Sequence, residues 1–237
     1  MGIEQRTVVI TGATGGLGKF VTRRLAELGA RLVLVGTDAN KLAELGNGLP
    51  QYFKDWLAVP VDLVQPGSAG KVFEAALARF GRVDVLLHFI GGWIGGKPVV
   101  QVQAEDIERM LEQHLWTTFY LAQAFVPPMR ANGWGRLVIV SSPSVSTTPA
   151  NRSPYTIGKS AQEALVLCLA NELSGSHVTA NVLRVKTIDV EHERDRQPVP
   201  ANRSWTTPEE IVAALLYLCS DEGQAVNGAH IPLYGSD

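Results

Sequence analysis

Tyr155 and Lys159, in the segment SPYTIGKSA, are the first residues whose types and spacing point to chemistry. Four residues apart on a helix, they share one face, with their Cβ atoms about 5–6 Å apart. A free phenol has a pKa of about 10, and a neighbouring ammonium is expected to lower it by stabilising the phenolate. We therefore expect Tyr155 to exchange a proton with a carbonyl or an alcohol as a general acid or base.

A second chemical signal is the glycine-rich segment TGATGGLGKF, which follows an apolar run near the start of the sequence. Gly12, Gly16 and Gly18 permit a tight turn and a close approach of the backbone to a pyrophosphate. The helix that begins in this segment offers free N–H groups and the positive end of its dipole to the anion. Its place between a strand and a helix favours a dinucleotide site over a turn without a ligand.

The Tyr-Lys pair and the glycine-rich segment lie in a sequence in which strand patterns alternate with helix patterns. The apolar runs predict seven strands, at Thr7–Thr11, Arg31–Val35, Trp56–Val61, Val83–Ile90, Arg136–Ser142, His177–Val185 and Ala229–Tyr234. The intervening patterns predict helices at Gly16–Leu28, Asp38–Leu45, Gly67–Phe80, Ala104–Arg130, Pro154–Leu173 and Thr207–Ser220. Strands that are apolar on both faces and alternate with helices indicate an α/β fold, a doubly wound parallel sheet flanked by helices. We expect one domain over residues 1–237, with the charged segment 189–206 as a lid over a site.

The spacing TGxxxGxG, together with YxxxK, resembles the short-chain dehydrogenase/reductase family over essentially the whole chain. The resemblance implies a Rossmann-type fold in which Ser142 holds the substrate oxygen, although Ser141 and Ser144 lie close enough to be confused with it. It implies that Lys159 lowers the pKa of Tyr155 and orients the cofactor ribose. His114 stands where the family has an asparagine that holds a water in a proton relay. An imidazole can also bind a water, but a helix-packing role for His114 is the alternative.

The resemblance also implies a set of cofactor contacts along the strand ends. They are Gly12, Thr14, Gly16, Leu17, Gly18, Thr37, Asp38, Asp62, Leu63, Ile90, Gly91, Gly92, Tyr155, Lys159 and Ile188. After the sixth strand, Val185–Lys186 replaces the family's Pro-Gly, and Val190 replaces a threonine that meets the cofactor carboxamide. Anchoring of the nicotinamide is therefore expected to be retained only in part.

The choice between NAD and NADP depends on the end of the second strand. An acid there binds the adenosine ribose of NAD, whereas a basic residue just after it favours NADP. Gly36 and Thr37 occupy the two positions and carry neither residue. Asp38 could reach the ribose or could cap the following helix. Because no acid at position 36 repels a 2′-phosphate and Thr37 can donate to one, we favour NADP, with NAD not excluded.

The loop HFIGGWIGGK, His88 to Lys97, replaces the family's usual Asn-Asn-Ala-Gly. With QHLWTT and SWTTPEE, it resembles the dihydropteridine reductase branch, whose members reduce a flat quinonoid ring. Trp93 could stack on such a ring or could only pack against the lid. Trp93, Ser144 and Arg194 are the residues expected in the substrate pocket. Gly36 and Ser142 depart from that branch and suit carbonyl or alcohol chemistry.

Composition limits the remaining possibilities. The formal net charge of −2 gives no electrostatic case for nucleic acid or an anionic membrane. No apolar run approaches the roughly 20 residues of a membrane span, and residues 1–6 do not form a signal peptide, so we expect a cytoplasmic protein. Cys168 and Cys219 have no metal-ligand spacing and are expected to be buried free thiols in helices. The partners expected are a small-molecule substrate and a second subunit, in a homodimer or homotetramer paired through the fourth and fifth helices.

Together these features predict an NAD(P)-dependent oxidoreductase. Hydride would pass between nicotinamide C4 and a carbonyl or alcohol, with Tyr155 as general acid/base. Reduction of a quinonoid pterin or a similar flat ring is the first alternative. A nucleotide-binding sensor without turnover is the second.

Overall fold

A computed structural model describes residues 2–234. Seven strands of this part of the chain form a single sheet. The strands are β1 (Thr7–Thr11), β2 (Arg31–Gly36), β3 (Trp56–Pro60), β4 (Val85–His88), β5 (Gly135–Ser141), β6 (Val178–Arg184) and β7 (His230–Pro232). All neighbouring strands pair in parallel, in the order β3-β2-β1-β4-β5-β6-β7. The predicted doubly wound parallel sheet is confirmed, and β1 and β4 flank the point where the strand order reverses.

Helices cover both faces of the sheet. They are α1 (Gly16–Glu27), α2 (Ala39–Asn47), α3 (Ser68–Phe80), α4 (Ala104–Leu111), α5 (Thr117–Ala131), α6 (Ser144–Thr147), α7 (Ser153–Glu172), α8 (Glu193–Arg196) and α9 (Pro208–Leu218). Apolar side chains of α1, α2 and α9 form one core with one sheet face, and those of α3, α5 and α7 form a second core with the other. The short helices α6 and α8 were not predicted; every predicted element ends within two residues of its counterpart, apart from one interrupted helix.

That helix, predicted without a break over Ala104–Arg130, contains a π-helical turn at Glu112–Trp116. A π turn shifts the backbone hydrogen bonds by one residue and leaves carbonyl groups in need of partners. The hydroxyls of Thr117 and Thr118 donate to the carbonyls of Gln113 and His114 at 2.7 and 2.6 Å. These two hydroxyls therefore satisfy carbonyl groups within the π turn, and the same turn contains His114, which packs against Gly158 of α7.

The two cysteines lie in different environments. Cys219 is buried just beyond α9, as expected of an inert thiol, but Cys168 on α7 is exposed, so the prediction that it is buried was wrong. The pattern of α7 is apolar on more than one face, and the described chain covers only part of that surface. No helix among residues 2–234 is long and apolar enough to cross a membrane.

Candidate active site

A cavity of about 450 Å³ opens at the carboxyl ends of β1, β4, β5 and β6. It is lined by Gly12, Gly15, Gly16, Leu17, Gly18, Phe89, Ile90, Gly91, Gly92, Trp93, His114, Val140, Ser141, Tyr155, Lys159, Val185, Lys186, Thr187 and Ile188. A second cavity of about 370 Å³ shares the glycine turn and residues 89–92 with it and extends to the ends of β2 and β3. The glycine turn and the pair Tyr155 and Lys159 therefore line the same cavity, which continues into the second one.

The glycine turn brings backbone atoms closer together than a side chain would allow. Gly12 has a left-handed φ of +70°, and its carbonyl accepts from Gly15 N at 3.0 Å. A Cβ on Gly18 would overlap the carbonyl oxygen of Gly12 and lie 2.8 Å from Ala13 Cα. The first N–H groups of α1 consequently border the cavity without a side-chain cap, which fits the pyrophosphate of a dinucleotide.

The second cavity lies where an adenosine ribose is expected, and its wall includes Gly36, Thr37, Asp62 and Leu63, together with Thr14. Asp38 is not on this wall. Its carboxylate caps α2, accepting from Asn40 N at 3.0 Å and Lys41 N at 3.1 Å. The structure thus places Asp38 at the helix cap, the alternative considered from the sequence.

Lys159 is held by protein groups on the face of α7 that it shares with Tyr155. Its ammonium donates to the carbonyl of Val140 at 2.7 Å and to Gln162 Oε1 at 3.0 Å. Gln162 is fully buried and in turn donates to the Thr118 hydroxyl at 2.9 Å, so the lysine is tied to the helix that contains the π turn. Burial lowers the pKa of Lys159 to about 7, while the negative charge of Glu163 acts to raise it.

The pKa of Tyr155 moves opposite to the expectation from the sequence. Burial raises it above its ordinary value of 10.0, and the neighbouring Ser142 hydroxyl acts to lower it. Desolvation therefore has the largest effect on the pKa of this phenol, larger than that of the hydroxyl and the charges beside it. Ser142 lies just behind the cavity wall, where its hydroxyl donates to Ser144 Oγ at 3.1 Å, while Ser141 lines the cavity.

His114 is completely buried behind the loop of residues 89–92, which lines both cavities. Its ring occupies space that is free because two neighbouring residues are glycines. A Cβ on Gly91 would lie 2.5 Å from its Cε1, and a Cβ on Gly158 would lie 2.9 Å from its Cδ2. Its Nε2 lies 3.2 Å from the carbonyl of Gly92, which requires a proton on Nε2 and leaves Nδ1 a buried acceptor without a hydrogen-bond partner among residues 2–234. Burial lowers the pKa of His114 to about 3, with the charge of Lys159 contributing, so the ring is neutral near pH 7.

His88 is a buried site residue that the sequence reasoning did not single out. Thr117 already donates its hydroxyl proton to Gln113, so its oxygen accepts from His88 Nε2 at 3.1 Å. Nδ1 of His88 then accepts from the Thr11 hydroxyl at 2.7 Å. The ring bridges β1 to the helix that carries His114, and burial lowers its pKa to about 3. Its position in place of the family's asparagine was the available signal.

His88→Asn is expected to reduce the sensitivity of folding to acid. Because the folded-state pKa lies below the ordinary value of 6.5, the histidine favours folding fully above pH 6.5 and loses that contribution as the pH falls toward 3. At pH 5 the loss is about 2 kcal/mol relative to pH 7.5. Urea unfolding of both proteins at pH 7.5 and 5.0 measures it. An equal loss in the variant and the wild type would contradict this assignment.

The predicted lid segment lies beside the cavity, but Arg194 does not face it. Its guanidinium donates to the carbonyl of Trp205 at 2.7 Å and to both carboxylate oxygens of Glu210, at 3.0 and 3.1 Å. Arg194, which the sequence analysis expects in the substrate pocket, is instead paired with Glu210 in the first turn of α9, and it is not among the described residues that line the cavity. Trp93, by contrast, borders the cavity and is 57% exposed.

Comparison with known proteins shows which family the chain is similar to. The family model described as short chain dehydrogenase matches residues 6–199. The chain is similar to a 1,6-dihydroxycyclohexa-2,4-diene-1-carboxylate dehydrogenase of Pseudomonas putida, with 31% identity over 99% of this chain and 93% of the relative. It is also similar to a D-beta-hydroxybutyrate dehydrogenase of Rhizobium meliloti, with 25% identity over 97% of each.

A solved structure extends the similarity to three dimensions. A short chain dehydrogenase from Bacillus anthracis superimposes with a TM-score of 0.88 at 27% identity, covering 98% of this chain and 96% of that one. At this coverage the similarity includes nearly all of the sheet and of the segments that follow its strands.

Proposed function

Because the chain belongs to the short-chain dehydrogenase family, we propose that it moves a hydride between NAD(P) and a carbonyl or alcohol substrate. Membership makes the chain an oxidoreductase, and its relatives are dehydrogenases. Proteins of this family bind NAD or NADP and act on small molecules. The observation that carries the proposal is that Tyr155 and Lys159 share one cavity with the glycine turn.

In this proposal the bound cofactor supplies a hydride acceptor or donor, and its oxidised form adds positive charge beside the phenol. During oxidation an alcohol loses the hydride from its carbon and the proton from its oxygen, which leaves a carbonyl compound. Tyr155 takes that proton and returns it in the reverse direction. Ser142 would hold the substrate oxygen, and Lys159, which is anchored on Val140 and Gln162, would bind the cofactor ribose.

His114 completes the proposed acid–base site. A neutral ring with an unpartnered Nδ1 can accept a hydrogen bond from a water on the route between Lys159 and solvent. The close fit against Gly91 and Gly158 equally supports a packing role. In either role His114 packs between Gly91 of the loop after β4 and Gly158 of α7.

For the cofactor we propose NADP, with Gly16, Gly18 and the start of α1 at the pyrophosphate and Thr37 at the 2′-phosphate. The support is the wall of the second cavity, where Gly36 and Thr37 stand and where Asp62 is the only carboxylate among the described lining residues. Asp62 Oδ1 accepts from Val64 N at 3.1 Å, so it is committed to the turn after β3.

Gly36→Asp is expected to shift the preference from NADPH toward NADH by at least about tenfold in kcat/KM, since a carboxylate there repels a 2′-phosphate and can accept from a ribose hydroxyl. The site has room, because the nearest atom to a new Cβ is Thr14 Oγ1 at 3.5 Å. Steady-state kinetics with both cofactors measures the shift. Gly36→Ala is the steric control, and an unchanged preference in Gly36→Asp would contradict the assignment.

The segment 189–206 is proposed as the substrate lid. Its start lies at the glycine turn, where a Cβ on Gly16 would be 3.0 Å from a Val190 methyl group, and its end returns beside Ile188 through a bridge to Thr206. A homodimer or homotetramer remains a prediction. The groove between α5 and α7, which includes Cys168, lies on the face expected to pair.

Reduction of a flat quinonoid ring is the second candidate, supported by the exposed face of Trp93 on the cavity wall. Single-turnover mixing with NADPH and NADH against a panel of ketones, quinones and a quinonoid dihydropterin distinguishes the possibilities. Oxidation of the cofactor by ketones supports the main proposal, and oxidation by the pterin alone supports the second. Cofactor binding without oxidation across the panel would favour a sensor and overturn both.

A further inference from the structure

Lys186 gives the larger cavity a charge that the proposed mechanism does not use. Of the described residues that line this cavity, only Lys159 and Lys186 are charged, and none is acidic. Lys159 is buried and committed to Val140 and Gln162. Lys186 is exposed, and its ammonium donates to Ser204 Oγ at 2.7 Å.

The surroundings of Lys186 leave its charge without compensation. Ser204 is a neutral hydroxyl in the lid segment, and no carboxylate within residues 2–234 forms an ion pair with Lys186. An ammonium has three donors, so two remain for a ligand. A cation at the edge of a cavity without acidic residues attracts an anion and orients it by charge-assisted hydrogen bonds.

The topology indicates which end of the cavity Lys186 serves. β6 pairs with β5, and Arg184 lies in register with Ser141, so Lys186 follows the strand next to the one that leads to Ser142. The glycine turn follows β1, which β4 and β5 separate from β6. Neighbouring strands are about 4.8 Å apart, and three such intervals separate β1 from β6. The glycine turn therefore begins roughly 14 Å across the sheet from β6. The backbone of Lys186 therefore leaves the sheet next to β5, on the side of the cavity where Ser141 and Ser142 lie.

Resting on the proposed function, we propose that Lys186 binds a carboxylate of the substrate and so makes the protein selective for alcohols, or vicinal diols, that carry an acidic group. The reacting hydroxyl faces Tyr155, and the carboxylate pairs with Lys186 and reaches the lid through Ser204. The relative from Pseudomonas putida is named for a dihydroxy carboxylate, which is the same combination of groups. Substrate binding would in this way tie the lid to the end of β6.

The test compares 3-hydroxycyclohexane-1-carboxylate with its neutral carboxamide in the presence of NADP⁺, using the wild type, Lys186→Met and Lys186→Arg. We expect the wild type to prefer the carboxylate by at least about tenfold in kcat/KM, Lys186→Met to lose that preference, and Lys186→Arg to keep most of it. The wild-type preference should also weaken with added salt.

Three outcomes separate this inference from the proposed function. Oxidation of both probes with no change in their ratio in Lys186→Met would overturn the inference and leave the proposed function standing. A weaker affinity for NADP⁺ in Lys186→Met, with an unchanged ratio, would assign the lysine to the cofactor phosphates and also overturn it. If neither probe is oxidised, calorimetric binding of the carboxylate that depends on Lys186 would support the inference while counting against the activity, and equal binding by both proteins would overturn it.

Discussion

Tyr155→Phe is expected to lower kcat by about 100-fold or more while leaving cofactor affinity within about twofold. The phenol lines the same cavity as Lys159 and is the group proposed to exchange the proton, and phenylalanine keeps the ring but removes the hydroxyl. The ring packs edge-on against His114 with centroids 5.7 Å apart, a contact that the variant preserves. Single-turnover hydride transfer and fluorescence titration with NADPH measure the two effects separately.

The matched control is Tyr217→Phe, because Tyr217 is a half-exposed tyrosine on α9, away from the lining of either cavity. It should leave kcat unchanged. The pH dependence gives a second check, since burial raises the pKa of the phenol. Reduction needs the protonated phenol, so wild-type activity in that direction should persist through neutral pH and fall only as the pH rises through the raised value. Turnover near the wild-type level in Tyr155→Phe would contradict the mechanism.

Gly18→Ala is expected to weaken cofactor binding by at least about tenfold and to reduce stability by about 1–3 kcal/mol. The new Cβ would overlap the Gly12 carbonyl oxygen and lie 2.8 Å from backbone atoms of Ala13, which cannot rotate away as a side chain could. The turn must shift, and the N–H groups at the start of α1 then lose their aim at the phosphates. Calorimetric titration with NADPH and urea unfolding measure the two effects.

Two further alanine variants keep this prediction testable if Gly18→Ala unfolds. In Gly16→Ala the new Cβ would meet side-chain atoms of Val190, the nearest a methyl carbon at 3.0 Å, so we expect a smaller loss of affinity in a folded protein. Gly70→Ala in α3 has no atom within 4 Å and should be stabilised by about 0.5–1 kcal/mol without any change in binding. Cofactor affinity at the wild-type level in a folded Gly18→Ala would show that the turn does not hold the phosphates.

Features that depend on residues close together in sequence were predicted correctly. The alternation of apolar runs and helical patterns gave the parallel sheet, because strands buried on both faces need near-continuous apolar sequence. The spacing of Gly12, Gly16 and Gly18 placed the turn between β1 and α1, because only glycine permits that approach of backbone to backbone. The four-residue interval from Tyr155 to Lys159 put both on one face of α7 for the same local reason.

Features that depend on distant partners were not predictable in this way. The π turn at Glu112–Trp116 arises where His114 fits against Gly158 of α7, far along the chain. Arg194 pairs with Glu210 of α9, and the carboxylate of Asp38 caps the helix that follows it. The direction of the Tyr155 pKa shift depends on how much of the chain buries the phenol, which no local pattern reveals.

The sequence by itself determined the fold class, the tight glycine turn after β1 and the placing of Tyr155 and Lys159 on one face of a helix, because each depends on residue types within a short stretch of sequence. The tertiary structure alone decided which groups share the cavity and in which charge state. His88 is neutral near pH 7 and bridges β1 to the helix of Thr117, and within residues 2–234 the side-chain partner of Lys186 is the neutral hydroxyl of Ser204. Charge state and partnership follow from desolvation and from neighbours across the sheet, and these exist only once the strands are assembled.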